Sequence, residues 1–261
     1  MSLLLAVDVG NTNIVLGVFD LSQGVQAPIL HSWRLATTRD RTADEYGLAA
    51  LELLRHGNVD PGQIHNIVIS NVVPPFHPVL ETWARRYFAV EPLWIEPGIK
   101  TGIKILLDNP SELGADRIVN VVAGMEKFGV PLIAIDFGTA TTFDVVNEKR
   151  EYLGGLILPG IKIAAEALST RASRLPRVEI AKPERVIGRN TIQAMQSGLF
   201  YGYVGQVDGI LERLLKELPG AAIVATGGLA KALAAESRYI QNLEPDLTLD
   251  GLKILWLKNQ R

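Results

Sequence analysis

A two-part α/β protein is the fold that the sequence predicts, and three observations predict it. Apolar runs of strand length alternate with helix-length amphipathic stretches along the chain. One strand–turn–strand unit with Asp-x-Gly at its tip occurs twice, as Asp8-x-Gly10 and Asp136-x-Gly138. The composition, 48% hydrophobic and 21% charged over 261 residues, is that of a soluble globular chain with one large or two ordinary domains.

The elements follow in order. Met1-Ser2-Leu3-Leu4-Leu5-Ala6-Val7 is apolar but has no basic flank and meets Asp8 at once, so it reads as a buried strand and not a signal core. Leu3 to Val9, the turn-like Gly10-Asn11-Thr12-Asn13 and Ile14 to Phe19 form a hairpin, with a third strand at Trp33-Arg34-Leu35. Thr42 and Glu45 have capping-box spacing, Leu48, Leu51 and Leu54 recur at helical spacing, and Gly57 stops that helix. Ile67 to Val73 is a buried strand ended by Pro74-Pro75. Glu81 to Phe88 is helical, and Leu93 to Ile95 and Ile103 to Leu107 are strands. Asp116 opens a helix over Arg117 to Phe128 that Gly129 closes. Leu132 to Phe137, Gly138 to Thr141 and Thr142 to Val146 then repeat the opening hairpin.

Arg171 to Arg189, charged and with two prolines, reads as an exposed loop, its basic residues a solvated face. Asn190-Thr191 caps a long helix running to about Leu218. In that helix Gly198, Gly202, Gly205 and Gly209 call for a close helix neighbour, internal or from a second subunit, because interior Gly costs roughly 1 kcal/mol relative to Ala. Ala222 to Ala225, Thr226-Gly227-Gly228 and Leu229 to Ala235 are strand, turn and helix.

Composition excludes several functions. Twenty-six Lys+Arg against 28 Asp+Glu leave a charge of −2, with no basic excess for nucleic acid or an acidic membrane. Lys162 and Glu166 interrupt the longest apolar stretch, Leu153 to Leu168, so no helix spans a bilayer. The absence of Cys removes disulfides, thiolate metal sites and a Cys nucleophile, and it suits a reducing cytoplasm. His31, His56, His65 and His77 show no metal-ligand spacing. Gly98-Ile99-Lys100-Thr101 lacks P-loop spacing, and no Gly-x-Gly-x-x-Gly is present.

Four segments are candidates for chemistry. At Asp8-Val9-Gly10-Asn11-Thr12-Asn13, a tight turn can present backbone N–H groups to phosphate, Asn11 and Thr12 add donors, and Asp8 suits a hydrated Mg²⁺. An ordinary hairpin turn explains the same residues. In Gly114-Ala115-Asp116-Arg117 a carboxylate at a helix start is a cap by default, which predicts a lowered pKa. The ionised group could take the proton of an alcohol attacking a phosphoryl group, with Arg117 steadying an anionic substrate. Asp136-Phe137-Gly138-Thr139 echoes the first turn. Thr226-Gly227-Gly228 lets a flat ring or phosphate lie against backbone, or is a plain connection.

Taken in order, these four motifs resemble those of the type III pantothenate kinases, supported by Asn109-Pro110, by Gly154-Gly155-Leu156 with Pro159-Gly160, and by Thr191-Ile192-Gln193-Ala194-Met195. The likeness runs from Leu5 to the C-terminal helix. It implies the acetate and sugar kinase/Hsp70/actin-like fold, in which two duplicated actin-like (ribonuclease H-like) halves enclose a nucleotide cleft. Here the halves are residues 1–120, with the phosphate-binding hairpin, and 121–261, with the second hairpin, the adenine-side turn and a dimerisation helix. It implies ATP-dependent phosphorylation of pantothenate, the first step towards coenzyme A, by a cytoplasmic homodimer using Mg²⁺ and a monovalent cation, K⁺ or NH₄⁺. By the same resemblance Asp8, Val9, Gly10, Asn11, Thr12, Asn13, Ile14 and Val15 meet ATP, as does Thr139. Asp116 is the catalytic base and Asp136 the monovalent-cation ligand. Gly114, Ala115, Asp116, Arg117 and Thr191 contact pantothenate, Thr191 from the partner subunit. Leu107 stands where many members carry Tyr, giving apolar contact without a hydroxyl.

Two rival functions use the same residues. A nucleotide-binding regulator has no need of Asp8, Asp116 and Asp136 together. A phosphatase or polyphosphate hydrolase needs a water-activating carboxylate, whereas Asp116 beside Arg117 suits an alcohol substrate.

Overall fold

The computed structural model describes residues 3–260; Met1 and Ser2, placed above at the head of the first strand, lie outside the described residues. In chain order the strands and helices are β1 (Leu3–Val9), β2 (Asn13–Asp20), β3 (Ile29–Ala36), α1 (Ala43–His56), β4 (Ile64–Asn71), α2 (His77–Phe88), β5 (Leu93–Trp94), β6 (Lys104–Ile105) and α3 (Ala115–Phe128). There follow β7 (Leu132–Phe137), β8 (Ala140–Val146), β9 (Glu151–Pro159), α4 (Ile161–Arg171), α5 (Thr191–Glu217), β10 (Ala222–Thr226), α6 (Ala230–Ala234), β11 (Asn242–Leu243) and α7 (Leu247–Asn259).

Two compact units result. The first holds the described residues up to Gly102, Asn109–Ala123 and the chain from Asp246 on; the second holds Ile103–Asp108 and Gly124–Pro245. These units differ from a single division at residue 120, because the C-terminal helix α7 returns to the first.

In the first unit the sheet order is β3-β2-β1-β4-β5. β2 runs antiparallel to β1 and β3, while β4 runs parallel to β1 and β5. The alternation of β1 sends Leu3, Leu5, Val7 and Val9 into a core with Tyr46, Ala50 and Leu54 of α1 and Leu80, Trp83 and Ala84 of α2. Burying each such large apolar side chain contributes about 1.5–3 kcal/mol. The out-of-phase residues of β1 are Leu4, Ala6 and Asp8, and α7 packs on β1 and β4. Helix α1 starts as its spacing predicts. Thr42 Oγ1 accepts from the Glu45 N–H at 3.3 Å, and Glu45 Oε2 accepts from the Thr42 N–H at 2.8 Å.

In the second unit β11-β10-β7-β8-β9 repeats that order and the same parallel and antiparallel pairings, with β6 added beyond β9. Ile133, Ile135 and Phe137 of β7 form a core with Phe200, Tyr203, Val207 and Leu211 of α5 and with Leu233 of α6. Asp136 is out of phase with this set, as Asp8 is in β1. The apolar stretch 153–168, which the sequence left without an assignment, divides at Gly160 into β9 and α4. The strand expected over Ile67 to Val73 is shifted to Ile64–Asn71.

Candidate active site

The first hairpin turn is built from its own backbone and from the chain leaving β3. The Gly10 N–H donates to the Asn13 carbonyl at 2.9 Å, so this amide closes the turn and does not point outward as the sequence reading had it. Thr37 holds the turn from behind: its Oγ1 donates to the Gly10 carbonyl at 2.7 Å and its N–H to the Thr12 carbonyl at 3.0 Å. With these carbonyls occupied, the turn presents the exposed side chains of Asn11 and Thr12. Val9 and Ile14 are buried, and Asn13 and Val15 are half-buried, so they shape the turn more than its surface. Thr37 was missed in the sequence; its signal is a β-branched hydroxyl directly after a strand.

Asp8 is the penultimate residue of β1, half-buried, with Oδ1 inaccessible to solvent. Its register partner on β4 is Ser70, which is 0% exposed and whose Oγ has no hydrogen-bond partner. The C-terminal ends of β1, β4 and β5 lie together. There Asn71, Pro74, His77, Trp94, Ile95 and Glu96 line a cleft of about 240 Å³. The outer ends of parallel strands are where such sheets place ligands.

Asp116 belongs to the same end of the same sheet. Val72 donates its N–H to the Val9 carbonyl at 3.0 Å. A Cβ on Gly114 would stand 3.9 Å from Val72 Cγ1 and 2.6 Å from Asp116 Oδ1. Two expectations are corrected here. Helix α3 begins at Ala115, so Asp116 lies inside the first turn and is not the cap. Its pKa is raised, not lowered: burial dominates, against the Arg117 N–H bonded to Oδ1 at 2.8 Å and the Arg117 charge. A desolvated carboxylate with a raised pKa is the better proton acceptor. Asn109, read as support for this motif, caps the turn Pro110–Glu112 by accepting from the Ser111 N–H at 3.3 Å.

In the second unit, Asp136 is likewise penultimate in its strand and half-buried, while Gly138 and Thr139 are exposed. Its register partner on the parallel strand is again a hydroxyl, Thr226. The Thr226-Gly227-Gly228 turn packs directly on Asp136. Gly227 has φ +97°, and a Cβ there would lie 2.6 Å from Asp136 Oδ1 and 2.7 Å from the Phe137 carbonyl oxygen. Only glycine meets both conditions. Gly160 braces the other side, donating its N–H to the Thr139 carbonyl at 3.1 Å. Leu107, on the same unit, lies 3.7 Å from the Cβ position of Gly154.

Thr191 is the first residue of α5 and exposed; Asn190 caps the helix as expected, its Oδ1 accepting from the Gln193 N–H at 2.9 Å. The loop before it is exposed but anchored. Gln196 Nε2 donates to the Glu179 carbonyl at 3.1 Å, Ser197 bonds the Val186 carbonyl, and Lys182 pairs with Glu236 at 2.6 Å. Its basic residues Arg171, Arg174, Arg177, Lys182, Arg185 and Arg189 are all exposed, the solvated face read from the charges, while these bonds tie the loop to its neighbours.

Among the described residues no three His, Asp or Glu side chains cluster as a metal cage. A Mg²⁺ that keeps its waters and is shared with phosphate oxygens needs no cage, only a carboxylate of the kind Asp8 offers beside the first turn. The oxygens of Asp136 and Phe137, gathered around Gly227, are hard donors of the kind an alkali cation takes. Among the described residues no helix is long and apolar enough to cross a membrane.

Comparison with known proteins agrees with this geometry. Solved structures with the same architecture include the ethanolamine utilization protein EutJ from Carboxydothermus hydrogenoformans (TM-score 0.56, 14% identity, 98% of this chain and 90% of that one). Another is the inorganic polyphosphate/ATP-glucomannokinase from Arthrobacter sp. strain KM (TM-score 0.50, 10% identity, all of both chains). At these identities the likeness is one of fold, the two-part actin-like arrangement of related sheets. The sequence is far more specific. It is 54% identical over 264 residues to the type III pantothenate kinase of Koribacter versatilis, covering 99% of this chain and 96% of that protein. It is 52% identical over 258 residues to that of Myxococcus xanthus, covering 98% and 99%. Residues 4–213 match the family model described as type III pantothenate kinase. With both Asp-x-Gly turns and the Asp116 helix start in place, the chain belongs to the type III pantothenate kinases.

Proposed function

We propose that this protein transfers the γ-phosphoryl group of ATP to the primary alcohol of pantothenate, giving 4′-phosphopantothenate on the way to coenzyme A. Membership of a kinase family brings with it ATP and Mg²⁺. The observation that carries the residue assignment is Asp116: a carboxyl group buried enough to have a raised pKa, beside Arg117, at the strand ends that also carry Asp8 and the first turn.

That geometry, with the family resemblance, supports the following roles. The turn from Asp8 to Val15 takes the ATP phosphates, with Asn11 and Thr12 outermost. Asp8 would hold Mg²⁺, whose chemistry when bound would be to offset charge on the transferring group. Asp116 orients the pantothenate alcohol and accepts its proton, and Arg117 holds the anionic end of the substrate. Gly114 and Ala115 supply backbone to the same pocket. Asp136 holds K⁺ or NH₄⁺, and Thr139 contacts ATP. Most of the rate enhancement is then positioning and electrostatics.

The protein works as a homodimer in the cytoplasm. Gly198, Gly202 and Gly205 on α5 have open space where a Cβ would be. Ile157, Val186, Ile187 and Ile192 of the same unit are 51% to 83% exposed. A second copy covering α5 accounts for both, and brings Thr191 to its partner's pantothenate.

Coupled ADP release tests the reaction. Turnover that needs pantothenate, and is absent with sugars or without acceptor, is expected. Acceptor-independent turnover would indicate a hydrolase, and nucleotide binding without turnover a regulator.

A further inference from the structure

Tyr203 stands on α5 and faces β7, 6% exposed. Its ring lies 6.5 Å from that of Phe137, inclined at 56°. Its hydroxyl reaches two further strands, donating to the Pro159 carbonyl at 3.1 Å and bonding Thr141 Oγ1. A carbonyl can only accept, so the phenol hydrogen goes to Pro159 and the Thr141 hydroxyl donates to the phenol oxygen. Burial raises the phenol pKa, which keeps that hydrogen in place at neutral pH.

All three contacts surround one turn. Phe137 ends β7, Thr141 lies just inside β8, and Pro159 pairs with Ala140 across β8 and β9. The next residue, Gly160, bonds the Thr139 carbonyl. A phenylalanine would keep the ring packing but strand the hydroxyl of Thr141, a residue 1% exposed.

We infer that Tyr203 is a positioning residue for phosphoryl transfer: its hydroxyl fastens the Asp136–Thr139 turn to helix α5 in the geometry that binds nucleotide and monovalent cation. This rests on the reading of that turn given under the proposed function. In the sequence Tyr203 has the appearance of core, a Tyr among the apolar residues of a helix.

The test uses Tyr203→Phe in the full-length protein, with Thr141→Val as a second way to break the network. Phe200→Leu removes packing from the same helix without touching a hydroxyl. Hydrogen exchange of amides 137–141 in the ligand-free protein is expected to accelerate in the first two variants and not in the third. Binding of a non-hydrolysable ATP analogue with Mg²⁺, and half-saturation by K⁺ in the activity assay, should each weaken about three- to tenfold, with the pantothenate KM unchanged. If all three variants shift these readouts equally, in step with lost thermal stability, Tyr203 is merely structural and the inference fails. It also fails if Tyr203→Phe and Thr141→Val leave analogue binding and K⁺ activation untouched while Asp136→Ala and Thr139→Val impair them. If Asp136→Ala and Thr139→Val are themselves silent, the reading of the turn falls, and this inference with it.

Discussion

At the scale of single residues, Asp116 joins stability to catalysis under the proposed function. Its folded-state pKa is raised by burial, so the protonated form is the one that the fold prefers. Stability from this group is therefore complete below the ordinary aspartate range and is lost as pH rises through the raised value. Asp116→Asn, which imitates the protonated acid, is expected to raise the Tm at neutral pH and to lose that advantage as the pH falls below the aspartate range. The same change should lower kcat by roughly 10²-fold or more while leaving ATP-analogue binding in place. The wild-type pH–rate profile should have its acid limb above that of an unperturbed aspartate. Wild-type turnover in the Asn variant removes Asp116 from the mechanism; a Tm gain that does not depend on pH removes the buried charge as its cause. Ser70 gives a second prediction. A buried hydroxyl without a hydrogen-bond partner costs about 1–3 kcal/mol, so Ser70→Ala should leave the Tm unchanged or higher. A clear loss of Tm would show that the hydroxyl is satisfied in solution, most simply by a buried water beside Asp8.

At the scale of elements, the Thr226–Gly228 turn is tied to the second Asp-x-Gly turn. Gly227 packs inward on Asp136, while Gly228 beside it is exposed with open space at its Cβ position. Gly227→Ala meets a positive φ and a Cβ position 2.6 Å from the Asp136 carboxylate. The expected result is a Tm loss equivalent to at least about 1 kcal/mol and a weaker K⁺ activation curve; an unchanged curve would separate Gly227 from the cation site. Elements whose signal is local were readable in advance: the Thr42 capping box, the Asn190 cap, the strand runs at Leu3 to Val9 and Leu132 to Phe137, and both Asp-x-Gly turns. What escaped depends on distant partners. β9 and α4 share one apolar stretch that switches period at Gly160, a point set by contact with Thr139. Helix α3 starts one residue earlier than expected, at Ala115, which places Asp116 inside the first turn, half-exposed but desolvated enough for its pKa to be raised. Thr37 and Tyr203 act on turns remote in sequence, so no spacing rule marks them.

At the scale of the whole molecule, two sheets that share one five-strand order, each with an acid penultimate in the strand before its tip turn and a hydroxyl in register beside it, support a duplicated chain. The repetition extends to function under the proposed reading: one turn for phosphate and Mg²⁺, the other for nucleotide and K⁺. The glycines of α5 break the symmetry. Three of them cost roughly 1 kcal/mol each in a helix facing water, and a Cβ on Gly198, Gly202 or Gly205 would meet nothing within 4 Å among the described residues beyond the helix's own backbone. A lone protomer would gain from alanine at 202; a protomer packed helix against helix would not tolerate a larger side chain there. The proposed dimer therefore predicts that in sedimentation velocity the wild type runs as a dimer and Gly202→Leu as a monomer at the same concentration. Because Thr191 heads the same helix and is assigned to the partner's substrate, pantothenate turnover should fall with the dimer fraction, while binding of the ATP analogue persists. A Gly202→Leu protein that stays dimeric, or a monomer with full activity, would show that α5 is not the surface on which two copies complete the site.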